Sequence, residues 1–138
     1  MKVIKIEPRR SPAVIELDKT KRLYVAMAEA IGCELVEIVR PKGLKGKYCF
    51  ICDESALLKD EPMINPLPSY LYGYCDHGHP ICNTVLVMKE ELGPDGIDLV
   101  CLNEEDERSL MSFLNQQFVR ACVKVEHAII EFKYFGGI

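Results

Sequence analysis

No run of apolar residues in this 138-residue chain approaches the ~18 that a bilayer crossing requires. The opening Met1-Lys2-Val3-Ile4-Lys5-Ile6-Glu7 alternates charge with apolarity where a signal peptide is continuously apolar. The expected setting is cytoplasmic, with no membrane contact. An excess of positive charge is also lacking, with 17 Lys and Arg against 21 Asp and Glu: the net charge is −4 and the pI about 5.4, so the long-range field repels a polyanion, and bulk nucleic-acid binding is disfavoured. A disulfide framework is missing, because the seven cysteines are odd in number and scattered through stretches that read as strands and helices. Reduced, mostly buried thiols are expected. There is no phosphate-binding glycine loop, since Gly43 and Gly46 fall between strands, and no serine sits in a nucleophile elbow. Internal repeats and low-complexity segments are absent.

What is present is globular composition, 49% hydrophobic and 28% charged, at a length that suits one hydrophobic core and hence one domain. Residues 2–6 and 13–17 alternate with period 2 around the turn-rich Pro8-Arg9-Arg10-Ser11-Pro12, which predicts an antiparallel hairpin. Between residues 20 and 31, Leu23, Ala26, Met27, Ala30 and Ile31 recur at helical spacing. Asp18 or Thr20 can cap that helix and Gly32 can end it. Residues 34–39 place Leu35, Glu37 and Val39 on one face of a strand, and residues 48–52 form its hairpin partner across a basic loop. Residues 53–80 hold Pro62, Pro66, Pro68 and Pro80, too closely set for regular elements, and read as a long ordered surface excursion. A further hairpin joins residues 84–88 and 97–102 through Gly93-Pro94-Asp95-Gly96. Asn103 followed by four acids then starts a helix running to about Phe118. The tail, residues 119–135, mixes a helical stripe with strand-forming residues, and a break near Phe118 with a final strand is the expectation. The predicted fold is α+β, a mixed or mainly antiparallel sheet of about six strands covered by two helices on one face.

The segments Met1-Lys-Val-Ile-Lys-Ile-Glu-Pro8, Ala13-Val-Ile-Glu-Leu17, Glu34-Leu-Val-Glu-Ile-Val39, Phe50-Ile-Cys-Asp-Glu54 and Val100-Cys-Leu-Asn-Glu-Glu105 resemble the uncharacterised "domain of unknown function" family numbered 3846 over roughly residues 1 to 118. The resemblance implies an accessory protein of a phage or a conjugative element of Gram-positive bacteria, and no known reaction. Where the family carries Asn-Glu after the central strand, this chain has Asp53-Glu54.

The ordered excursion is the expected binding surface for a host protein or small ligand, with Asp53, Glu54 and Asn65, joined by Asp76, as polar contacts. Tyr70, Tyr72 and Tyr74 alternate, so in an extended segment they share a face with large contact area. Cys75, His77, His79 and Cys82 are the ligand types zinc takes, around a turn made by Gly78 and Pro80. Buried thiols beside an exposed His-rich turn are the favoured account of them. Cys49 and Cys52 are weaker ligands or redox groups, because residues three apart in a strand point to opposite faces. A non-enzymatic accessory role leads. The alternatives are a zinc protein, structural or hydrolytic, and a nucleic-acid-binding module that uses the basic loop Arg40, Lys42, Lys45, Lys47, with Arg9 and Arg10 in a second loop and a homodimer to concentrate the charge.

Overall fold

A computed structural model describes residues 1–44 and 46–134. Lys45 of the basic loop lies outside the described residues. In chain order the elements are β1 (Lys2–Ile6), β2 (Ala13–Glu16), α1 (Leu23–Ile31), β3 (Val36–Val39), β4 (Tyr48–Asp53), a 3-10 turn (Ala56–Leu58), α2 (Pro66–Tyr72), α3 (Tyr74–His77), β5 (Val85–Gly93), β6 (Gly96–Val100) and α4 (Glu104–Tyr134). The strands form one antiparallel sheet in the order β2-β1-β5-β4-β3. Strand β6 continues the β1 edge of β5, from Lys89↔Val100 to Gly93↔Gly96. All three expected hairpins form, because each has alternating apolar residues on both arms and turn-forming residues between them.

Both faces of the sheet are covered, where helices on one face were expected. One face carries Val3, Cys49, Ile51, Leu86 and Met88 against Ala26, Met27 and Ile31 of α1. The other carries Ile4, Ile6, Phe50, Cys52, Val85 and Val87 against Leu67 and Leu71 of α2 and Leu110, Leu114 and Ala121 of α4. The central strands β4 and β5 are therefore apolar on both sides, which shows in sequence as the runs Cys49-Phe50-Ile51-Cys52 and Val85-Leu86-Val87-Met88. Phe50 is fully buried, so truncating it to alanine is expected to cost about 3–5 kcal/mol. Helix α1 starts where its apolar stripe does, at Leu23, and later than a cap at Asp18 or Thr20 would place it. Asp18 accepts from the amide and hydroxyl of Thr20, which closes a local turn instead of capping the helix, and the chain becomes helical at Leu23. Gly32 ends α1 at φ 84°, as expected.

Two expectations fail together, for one reason. Residues 53–80 are not a surface excursion of irregular chain: they contain α2 and α3, with Pro66, Leu67, Pro68, Ser69 and Leu71 all buried. Pro66 and Pro68 stand in the first turn of α2, where amide hydrogens lack intrahelical partners, so proline costs nothing there. The tail does not break near Phe118 into a strand; α4 runs unbroken for 31 residues, about 46 Å. Its extra length lies on the elements unrecognised in the sequence, since Val125 and Ala128 pack on Tyr74, whose ring meets Phe132 edge-on at 5.5 Å. Had residues 66–77 been loop, a helix of that length would have had nothing to cover. The strand-forming Val119 and Val123 stay 69% and 60% exposed, so β propensity yields to the buried stripe of Leu114, Ala121 and Val125.

Candidate functional site

Strands β3 and β4 pair with Glu37 opposite Cys52 and Val36 opposite Asp53. Directly opposed residues share a face, so Glu37 turns with Cys52 toward α2, and Asp53 turns toward α1. Immediately beyond β4 the chain folds over the sheet edge. Asp53 accepts from the Ser55 amide at 2.9 Å and pairs with Lys59 at 2.5 Å, and the Lys59 ammonium also reaches the Gly32 carbonyl at 3.5 Å. That buried carboxylate holds the 3-10 turn in place. The result is a cleft of about 250 Å³ walled by Glu37, Asp53, Glu54, Leu57, Tyr72 and His79, with Cys52 and Cys82 below.

Within the cleft the electrostatics are one-sided. Partial burial raises the Glu37 carboxyl above its ordinary value, and the nearby carboxylates of Glu54 and then Asp53 raise it further. Among the described residues neither Glu37 nor Glu54 forms an ion pair, while Asp53 is held by Lys59. The thiolate form is disfavoured at both cysteines beneath: burial raises Cys52 first, with Glu37 adding to it, and burial also raises Cys82. Cys49, on the opposite face, is pushed up to about 12 by burial. A thiol of depressed pKa, which redox chemistry requires, is the reverse of what these positions produce.

The remaining sequence candidates are dispersed. Asn65 is buried outside the cleft and donates from Nδ2 to the carbonyls of Ile6 and Asn83, joining β1, α2 and the start of β5. Its Oδ1 is buried with no protein hydrogen-bond partner among the described residues. Tyr70, Tyr72 and Tyr74 do not share a face, because they lie on helical turns rather than an extended segment. Tyr70 packs half-buried on the core and Tyr74 is buried against Phe132. Only Tyr72 reaches the cleft, with its ring 5.1 Å from His77. The proposed zinc set does not assemble either: Cys75 is exposed, Cys82 is buried, and His77 accepts at Nδ1 from the His79 amide. Among the described residues no three His, Cys, Asp or Glu side chains gather as metal ligands. Asp76 is exposed on α3.

Sequence reasoning missed two features. Glu37 interrupts the face Leu35-Glu37-Val39, and a charge within an apolar alternation was the available signal. Lys89 and Asp106 form a buried pair at 2.8 Å, and Asp106 also accepts from the Tyr48 hydroxyl at 2.8 Å and the Asn103 amide at 3.1 Å. Asn103 in return accepts the Asp106 amide, which closes a capping box at the start of α4. Burial alone would raise the Asp106 carboxyl, but the bonds from Lys89, Tyr48 and Asn103 outweigh it and bring it to about 2. Two residues of the basic loop are likewise engaged internally: Arg40 grips Glu90 through both carboxylate oxygens, and Lys47 stands 3.7 Å from Asp106.

The sequence profile of a domain of unknown function, DUF3846, matches residues 1–119. The chain belongs to this family. The match spans the whole sheet, the cleft and the first half of α4, so the DUF3846 region includes each side chain that lines the cleft. The second half of α4, which packs on α3, lies past the matched region. No curated protein and no solved structure matches the chain. No helix among the described residues is long and apolar enough to cross a membrane.

Proposed function

We propose that this DUF3846 protein is a non-enzymatic accessory binding module, cytoplasmic and working for a phage or conjugative element, whose cleft at the end of β4 receives a cationic group from a host protein or a small ligand. One observation carries the reading: Glu37 and Glu54 face the same cleft without a cation, and the Glu37 carboxyl is raised by its burial and by its neighbours. A lysine, arginine or amine inserted there would relieve the like-charge repulsion and gain charge-assisted hydrogen bonds. Tyr72 offers a ring face to the same cation. On the cleft wall Leu57 is 62% exposed, apolar contact area of the kind a protein partner covers.

Arginine- and lysine-bearing peptides and spermidine are suitable probes, titrated against the native protein and a Glu37→Gln, Glu54→Gln double variant. Binding is expected to weaken at least about tenfold in the double variant and to weaken with salt. Equal affinity for both proteins would remove the cleft from consideration.

A further inference from the structure

The turn between β1 and β2 carries a second cavity that shares no residue with the cleft. Arg9, at its tip, has φ 61°, in the left-handed region that favours glycine. Strained backbone of this kind persists only where the surrounding structure holds it. Held so, the Arg9 guanidinium reaches across to α4, 3.1 Å from Glu126. Lys5 and Arg10 both turn toward Glu7, at 3.4 and 3.6 Å. With Ser11, Ile15 and the half-buried Phe118, these side chains line an open groove of about 600 Å³ between the turn and the middle of α4.

Lys5, Arg9 and Arg10 face the groove against the lining carboxylate Glu7, a local excess of positive charge on a chain whose net charge is −4. The Arg9 and Arg10 guanidiniums are solvent-exposed and the Lys5–Glu7 pair is half-buried, so the arginine pairs hold little energy and an arriving anion can exchange for their carboxylates. Arginine forks match the spacing of phosphate oxygens, and an aromatic ring beside them provides a stacking surface for a flat heterocycle. We propose that this groove binds a free nucleotide, its phosphates on Arg9, Arg10 and Lys5 and its base against Phe118 and Ile15.

Arg9→Gly tests this without confounding loss of fold. Glycine accepts φ 61° freely, so the variant removes the cation and relieves the strain in one change, and its thermal midpoint should match or exceed that of the native protein. Titration of the native protein with ATP, followed by amide NMR, is expected to shift residues around 5–15 and 118. Arg9→Gly and Arg10→Gln should each weaken that binding about tenfold, and Phe118→Leu should weaken ATP binding while leaving pyrophosphate binding unchanged. The proposal is overturned by a native protein that shows no shifts at these positions up to about 5 mM ATP. It is overturned equally by undiminished ATP binding in the folded Arg9→Gly variant, or by a single-stranded oligonucleotide that binds the groove more tightly than ATP does.

Discussion

Two groups of carboxylates lie on the α4 side of the sheet or at its edge, and the fold treats them in opposite ways. At the start of α4, Asp106 is 3% exposed and meets Lys89, Tyr48 and the Asn103 amide. At the end of β4, Glu37 and Glu54 meet each other across a cleft, and no lysine or arginine among the described residues pairs with them. A buried charge with all its partners supports the structure, whereas carboxylates gathered without a cation retain an attraction for an external one. The difference separates a structural network from a candidate binding site although both consist of common acidic residues.

The sharpest way to break this comparison is at Asp106. Asp106→Asn leaves the Lys89 ammonium only the exposed Glu91 carboxylate at 3.3 Å and removes a charged acceptor from Tyr48 and the Asn103 amide, which should cost about 2–3 kcal/mol and lower the thermal midpoint by roughly 8 °C. A loss under about 1 kcal/mol in urea unfolding would show the network to be no more than a surface pair. The pH dependence follows from the same group. Its folded carboxyl lies at about 2, below the ordinary 3.8, so the unfolded chain binds more protons in that window. The stabilisation is complete above about pH 4 and falls away as pH drops toward 2, and Asp106→Asn should flatten that part of the profile.

Gly43 lines a shallow pocket with Tyr48 of the Asp106 network, and its amide bonds the Leu71 carbonyl at 3.2 Å beside Tyr72 of the cleft. A methyl group there would stand 2.7 Å from that same carbonyl oxygen. Gly43→Ala is expected to cost about 2 kcal/mol by chemical denaturation, and an unchanged midpoint would mean that the loop moves freely away from α2. The smallest effect should have the opposite sign. The folded-state pKa of Glu37 is raised by burial, then by Glu54 and Asp53, so its ionised form opposes folding and stability falls as pH rises through its titration. Glu37→Gln should therefore stabilise the protein at neutral pH by a few tenths of a kcal/mol, after discount for solvent screening, and a destabilised variant would place a hidden cation beside it.

Much of the architecture was legible because the signals were local. Period-2 alternation around Pro8–Pro12 and Gly93–Gly96 located two hairpins, and Asn103 before four acids located the start of α4. The opposite orientation of Cys49 and Cys52 followed from strand geometry alone, and the structure places them in the two separate cores. The candidate site was half legible. Asp53, Glu54, Tyr72, His79 and Cys82 all reach the cleft, but Glu37, sixteen residues or more from any of them in sequence, joins only through the β3–β4 pairing. Tyr70, Tyr74 and Asn65 are taken up in packing and hydrogen bonds that an extended reading of residues 53–80 concealed.

The spacing of apolar and turn residues alone determined the strands, their hairpins, α1 and the beginning of α4, since these depend on neighbours a few residues apart. Tertiary structure decided the rest. A proline-rich stretch became helix because the sheet offered a face on which to bury Leu67 and Leu71, and that helix in turn supported the full length of α4. Whether a given carboxylate found a cation or another carboxylate depended on chain segments distant in sequence, an electrostatic outcome that periodicity does not encode.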